Sequence, residues 1–301
     1  MMVRLVIMGL DALDPDLVER WKMCWFMQKH YGRHYVGMIN KLYTPILWSC
    51  FLTGLNVEKY GYSLSELREK RTREAFRSKL LYKLYLLRKK IPIKKLGLRK
   101  LLVKLGLVEL YPGSVMPEHL LKKSFLEELK AMGYSVGAIE IPGYNETRNE
   151  YYRVKAGELI SSPFSERVRL VEEALEDTKM RVAEAIRYVE RGYDVVFTYS
   201  PLPDIALHMT MKPDLKAKLW IRSVHYSLYK AIRGLLDIAG EYGYAVLIVS
   251  DHGFDLETYY HSKYGFWSLN IDPPAWWDVR SILDFKKNIL KLVRFNIDLN
   301  Q

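Results

Sequence analysis

Four short runs of consecutive apolar residues, each closed by turn residues, stand out along the chain: Val3–Gly9, Ser135–Ile141, Asp194–Ser200 and Ala245–Ser250. Continuous rather than alternating hydrophobicity predicts strands buried on both faces, the mark of a parallel sheet. Between them apolar positions recur at three and four residues. That spacing predicts helices over Phe164–Arg191, Leu215–Glu241 and Pro117–Met132, the last opened by Pro117 at its first helical position. Strands alternating with helices of this length predict an α/β fold, a doubly wound, mostly parallel sheet flanked by helices. A fifth extended run, Tyr264–Asn270, predicts an added edge strand, and Asp278–Phe295 a closing amphipathic helix.

One segment departs from this alternation. Between the first and second predicted strands, leucines recur at helical spacing twice, at Leu80, Leu81, Leu84 and Leu87 and at Leu98, Leu101, Leu102 and Leu105, with Pro92 separating two helices. We read 63–112 as a basic helical insertion, or cap, within one α/β domain over 1–301. Charge changes the picture here. Residues 68–104 hold 15 Lys/Arg against only Glu69 and Glu74, a net +13, so the rest of a chain of net charge +11 sums to −2. Such helices read first as a subdomain packed by its apolar stripe, with a solvated charged face. The other reading is contact with an anionic partner: a membrane surface, a nucleic acid or a polyanionic substrate. Aromatics are sparse here (Phe76, Tyr82, Tyr85) and sit among leucines, which makes nucleic acid the weaker of these partners.

With 49% hydrophobic and 27% charged residues, the 301-residue chain is neither disordered nor fibrous. Cys24 and Cys50 lack metal-type spacing and offer no disulfide framework. The opening MMVRLVIMGLDALDPD does not read as a signal peptide, and no apolar stretch reaches the ~18 residues of a membrane span. The expected compartment is the cytoplasm, with peripheral membrane contact open through 68–104. Gln occurs only at 28 and 301 while Lys, Arg, Glu and Tyr abound, a bias of the kind found in hyperthermophile proteins.

Three predicted strands deliver chemistry to one sheet edge. Asp11 lies just past the first, in GLDALDPD; Asp204 and His208 closely follow the third, in TYSPLPDIALH; Asp251 and His252 lie just past the fourth, in LIVSDHGF. In open α/β sheets the crevice beyond the carboxyl ends of strands is where ligands bind. Asp204 and His208, four apart, share a face if that turn is helical. Mixed Asp/His donors suit Zn²⁺ or Mn²⁺ rather than the oxygen-only shells of Mg²⁺ or Ca²⁺. Each piece alone has a plainer reading, a helix cap or a turn. Thr44-Pro45, opening the apolar run ILWSCFLTG, likewise reads as a helix N-cap and first turn. A hydroxyl at that helix N-terminus also lies where phosphate oxygens are favoured and, beside a metal, becomes a candidate nucleophile.

In this order GLDALDP, TPILWSCFLTG, DIALH, SDHGF and HSKYGFWSLN resemble the alkaline phosphatase superfamily. Within it they look most like the type I phosphodiesterase/nucleotide pyrophosphatase branch, over most of the chain outside the basic insertion. The resemblance implies a two-metal site. It also implies a nucleophilic Thr or Ser ten residues before the glycine of a phrase similar to FLTG, which from Gly54 is Thr44. Carried over, Asp204, His208 and His261 would hold one divalent ion, and Asp11, Asp251, His252 and the Thr44 oxygen the other, with Zn²⁺ or Mn²⁺ as the expected metal. His261 enters because HSKYGFWSLN resembles the family's terminal His followed by a glycine-containing strand, and VRSILDF the helix after it. His30, His34, His119 and His225 have no matching context, and His30 and His34, four apart, read as a helical surface pair.

The implied activity is hydrolysis of a phosphodiester or pyrophosphate, on a small phosphate ester or a lipid-linked phosphate. The alternatives are a phosphomonoesterase or phosphomutase on the same site, or a binding protein with a degenerate site. The chain departs from the family at Leu47, where many members carry Asn, at Tyr60-Gly61-Tyr62, where His-Gly is frequent, and in having no Arg in the nucleophile loop. A sulfatase is not expected, since Ser49 and Cys50 lack the following x-Pro-x-Arg.

Overall fold

The computed structural model describes residues 3–76, 78–89, 114–210 and 214–294. Its strands, in chain order, are β1 (Leu5–Asp11), β2 (His30–Tyr35), β3 (Val136–Ile139), β4 (Val195–Pro203), β5 (Ala245–Val249), β6 (Gly253–Asp255), β7 (Tyr260–Ser262) and β8 (Tyr264–Leu269). Six of them form one sheet in the order β2-β8-β5-β1-β4-β3. β1 pairs parallel with β4 and β5, and β3 parallel with β4. The apolar runs are therefore the parallel centre, and every residue of β1, β4 and β5 is buried.

Alternate side chains of these strands serve two cores. Val6, Met8, Leu10, Val196, Val246 and Ile248 meet the long helices Phe164–Glu190 and Leu215–Glu241 on one face. Leu5, Ile7, Val195, Phe197, Leu247 and Val249 meet the helices Thr44–Thr53, Phe125–Ala131 and Asp284–Arg294 on the other. Helices on both faces of a mostly parallel sheet make the expected doubly wound α/β fold.

Several local expectations are corrected. The run Tyr264–Asn270 does not make the edge: β8 lies antiparallel between β5 and β2, and β2 is the outer strand. His30 and His34 are thus strand residues two apart in side-chain alternation, not a helical pair. His34 is buried and shares a 2.7 Å hydrogen bond with the Ser250 carbonyl, while half-buried His30 meets Asp272. Pro117–Met132 is two helices, Glu118–Leu121 and Phe125–Ala131, because Ser124 turns its hydroxyl to the Glu127 N–H and caps a new start. The closing helix begins only at Asp284, and the helix Asn149–Leu159 has no counterpart in the sequence reading. Of the basic segment, the helices Leu64–Ala75, opened by a Ser63/Glu66 capping box, and Lys79–Lys89 are described; Pro92 and the helix expected beyond it lie outside the described residues.

His225 sits in the first core, fully buried, with Nδ1 2.8 Å from the Ile221 carbonyl oxygen and the edges of Trp21 and Phe26 against its ring. Burial pulls its pKa down from 6.5 to about 4. The unfolded chain therefore takes up this proton first, and stability present above pH 6.5 is lost as pH falls toward 4. At pH 4.5 the loss from this residue is about 2.5 kcal/mol. His225→Phe, which suits the same apolar site, should gain on the parent by that amount between pH 7.5 and 4.5 in urea titrations; a pH-independent difference would refute the account.

Candidate metal centre

The carboxyl ends of β1, β4 and β5 converge, and each carries candidate donors directly at its tip. Asp11 is the last residue of β1; the register to β4 slips between Leu10 and Asp11, setting Asp11 opposite Pro203. The next residue, Asp204, begins the short helix Asp204–Met209, whose single turn brings His208 back over it, with Nε2 3.3 Å from Asp204 Oδ1. Asp251 and His252 follow β5 directly. After Asp11 the chain turns through Ala12 at φ +59°, a left-handed conformation that alanine adopts only against strain.

His261 arrives by a different route. β6 and β7 form a hairpin in which Phe254 pairs with His261, so the chain from Gly253 to Ser262 folds back on itself. The His261 ring thereby stacks on His252 at 4.1 Å between centroids and reaches 2.8 Å, Nε2 to Nε2, from His208. Asp14 fastens this hairpin to β1. One of its oxygens accepts from the Leu17 N–H and the other from the Phe254 N–H and the Ser262 hydroxyl at 2.8 Å. A Cβ on Gly253 would lie 2.1 Å from Asp14 Oδ2, so only glycine allows this approach.

Two groups of three donors result, each with its ligand atoms within 4.8 Å of one another: Asp204, His208 and His261, and Asp11, Asp251 and His252. Their hydrogen bonding fits a metal. Asp11 Oδ1, both Asp251 oxygens, His252 Nε2 and Asp204 Oδ1 are buried and have no hydrogen-bond partner among the described residues. Such atoms are rare and demand a counterpart. His252 Nδ1 lies 2.9 Å from the Gly253 carbonyl and His261 Nδ1 3.0 Å from that of Leu42, so each Nδ1–H donates outward and turns Nε2 inward. Electrostatics agree. Burial, together with the Asp11 charge, pushes the Asp251 carboxyl well above its ordinary range. Burial of His252 works against its charge, yet Asp251 and Asp11 raise it to about 10. Asp204 is held well below the ordinary range, burial notwithstanding, by His208 and His261. A dication held by the buried carboxylates of Asp11 and Asp251 and the partly buried one of Asp204 would supply the charge that this arrangement lacks.

Thr44 is correctly at the head of its helix but does not cap it. Tyr43 is the N-cap residue, Thr44 and Pro45 form the first turn, and the Thr44 side chain makes no cap bond. Its hydroxyl instead donates to Asp11 Oδ2 at 3.2 Å, and Thr44 is 5% exposed. The Tyr199 hydroxyl donates to the same oxygen at 2.5 Å. Burial and the two aspartates hold the Tyr199 pKa well above 10, so it remains a donor. Gly143, at φ +76°, lets the loop after β3 press against this helix start; a Cβ there would meet Ser49 Oγ at 2.3 Å.

Three neighbours were not singled out from sequence. Asp14 was legible as an Asp-Pro helix start, which it is, besides its fastening role. Tyr199, in the third apolar run, gave no sign beyond lying near the end of that run. Arg153 gave none at all. It comes from the helix Asn149–Leu159, lies 6.0 Å from the Tyr43 ring, and is held by Glu146 at 2.8 Å and Glu150 at 3.0 Å. Of the remaining histidines, His34 and His225 belong to the core and His119 lies 3.1 Å from the Tyr60 carbonyl, away from the centre. Asp14→Asn should weaken metal affinity by roughly tenfold, because an amide N–H₂ then faces the Phe254 N–H and frees the hairpin carrying His261. Unchanged affinity in a competition titration would remove Asp14 from that role.

No family model matches the chain, and no curated protein matches it in sequence. Solved structures do. A protein from Bacteroides thetaiotaomicron VPI-5482, provisionally described as a sulfatase, matches with a TM-score of 0.53 at 10% identity, over 100% of this chain and 72% of its own. Ps i-CgsB, solved with k-i-k-neocarrahexaose, gives 0.51 at 10%, over 100% and 74%. Murine ectonucleotide pyrophosphatase/phosphodiesterase 5 gives 0.43 at 14%, over 83% of this chain and 57% of its own, and at that score carries no weight. The chain thus spans less than two thirds of that last protein. At these identities the likeness concerns architecture. The chain shares the α/β fold of these solved structures.

Proposed function

We propose that the protein is a two-metal-dependent phosphoric ester hydrolase that cleaves a phosphodiester or pyrophosphate with Thr44 as nucleophile. The observation that carries this reading is the position of the Thr44 hydroxyl, bonded to Asp11, beside two donor groups whose inward atoms lack partners. Asp204, His208 and His261 would hold one ion, and Asp11, Asp251, His252 and the Thr44 oxygen the other. The donor set suits Zn²⁺ or Mn²⁺. Ions bound there supply the positive charge that eases loss of the hydroxyl proton and neutralises phosphoryl oxygens.

The chain's own residues do the rest. Asp11 Oδ2 orients Oγ1, and the Tyr199 donor on the same oxygen lowers its basicity, so Asp11 is a fixed acceptor rather than a mobile base. Attack by Oγ1 forms the oxygen–phosphorus bond as the bond to the leaving-group oxygen breaks, the hydroxyl proton passing to water and the leaving oxygen departing as the anion or taking a proton from water. Water then attacks the phosphothreonine, which restores the hydroxyl and releases the phosphorylated product.

The surroundings favour a diester over a dianionic monoester. Arg153 is paired through Nε and Nη2 with two buried carboxylates, Glu146 and Glu150, which offset its charge toward a dianionic terminal phosphate, and only its Nη1 is left without a partner among the described residues. Sulfuryl transfer, the reaction class suggested by the sulfatase description, lacks its nucleophile here. Cys50 is buried in the core with its thiol pushed up to about 12 by burial, and the Ser49 hydroxyl is spent on the Pro45 carbonyl. The test compares bis-p-nitrophenyl phosphate, p-nitrophenyl phosphate and p-nitrophenyl sulfate with Zn²⁺ or Mn²⁺ present. We expect kcat/KM for the diester to exceed the others by at least about tenfold. Preference for the monoester would make the protein a phosphatase, and preference for the sulfate would overturn the proposal.

A further inference from the structure

We propose that the helix Lys79–Lys89 docks the protein on an anionic lipid surface through its leucine face. One side of this helix is already used: Phe76, 8% exposed, packs against Leu81, Tyr82 and Tyr85, with ring centroids 5.9 and 5.0 Å from the two tyrosines. The opposite side is apolar and open. Leu80, Leu84 and Leu87 are 67%, 53% and 61% exposed, and their spacing of four and three puts them in one stripe. A solvated helix face carries polar residues there; leucines side by side mark a surface that meets something. Lys79 and Lys83, both exposed, flank the stripe.

Charge selects the partner. The segment 68–104 carries a net +13, so a second copy of the chain is repelled and an anionic surface attracted. The side chains select among anionic surfaces. Tyr82 and Tyr85, which could stack on bases, are turned onto Phe76, and what faces outward is aliphatic, suited to acyl chains and not to nucleobases. At 11 residues the helix is about 16 Å long, too short to cross a bilayer, and among the described residues no helix is long and apolar enough to do so. It would lie in the plane of the interface, leucines down and lysines at the headgroups. The inference is independent of the metal centre.

The test is co-sedimentation of the intact chain with vesicles of phosphatidylcholine alone or with phosphatidylserine, at two salt concentrations. Wild type should sediment with the anionic vesicles only, and less at high salt. The combined variant Leu80→Ser, Leu84→Ser, Leu87→Ser should partition at least about tenfold more weakly, with an unchanged thermal midpoint because the leucines are exposed. As a second readout, an environment-sensitive fluorophore on Leu84→Cys, in a Cys24→Ser background, should shift to the blue with anionic vesicles. Wild type remaining in solution, equal binding of the serine variant, equal binding to neutral vesicles, or an unshifted probe would each overturn the proposal. So would tight RNA binding that the leucine changes leave intact while vesicles are ignored.

Discussion

Thr44→Ala should fold like its parent, take up the same metal and lose at least about 10³ in kcat. The side chain does not cap its helix, so no cap energy goes with it. The structural loss is one hydrogen bond to Asp11, on the order of 1 kcal/mol, and Asp11 keeps its bond from Tyr199. Chemically the loss is the attacking atom itself. Six of the seven proposed ligands remain, so elemental analysis should return the parent's metal content while turnover disappears. A rate within tenfold of the parent would mean that some other group, or water, makes the first attack.

Asp251→Asn should separate metal binding from folding by moving them in opposite directions. Both oxygens of Asp251 are buried without a partner among the described residues, and burial and Asp11 push its pKa well above the ordinary range. A carboxyl whose folded pKa is raised is paid for in stability once pH exceeds its unfolded value, 3.8, and the penalty grows as pH rises. Asparagine removes that penalty, so the metal-free variant should melt higher than the metal-free parent at neutral pH. The same change strips a charged donor, and metal affinity should fall by at least about 100-fold, with activity following. Full metal content, or a lower melting point of the metal-free form, would contradict the assignment.

How far the molecule could be read from its sequence depended on what each segment's burial leaves visible. β1, β4 and β5 are buried on both faces, so their apolar runs announced them, and the alternation with long amphipathic helices announced the fold. β2 did not show. Its HYGRHY is largely polar because it is the outer strand, and the spacing of His30 and His34 looked helical though each faces a strand neighbour. Thr44-Pro45 marked a helix start correctly but hid the hydroxyl's partner, since Asp11 is distant in sequence and meets it only through the fold.

At the site, donors placed at strand ends were legible because strand ends were. His261 entered through the resemblance of its phrase, and the hairpin of β6 and β7 supplies the physical reason that a residue nine after His252 lies beside it and His208. Arg153 and Tyr199 reach the centre by packing and leave no local pattern to read.

The account rests on metal-dependent cleavage at this centre. The most direct measurement follows hydrolysis of bis-p-nitrophenyl phosphate by metal-stripped protein as Zn²⁺ or Mn²⁺ is titrated in, with Thr44→Ala titrated in parallel. We predict that cleavage returns with metal and saturates at two ions per chain, while the variant binds both ions and cleaves nothing. Cleavage indifferent to metal, or a parent that takes up no metal and leaves the diester intact, would contradict it.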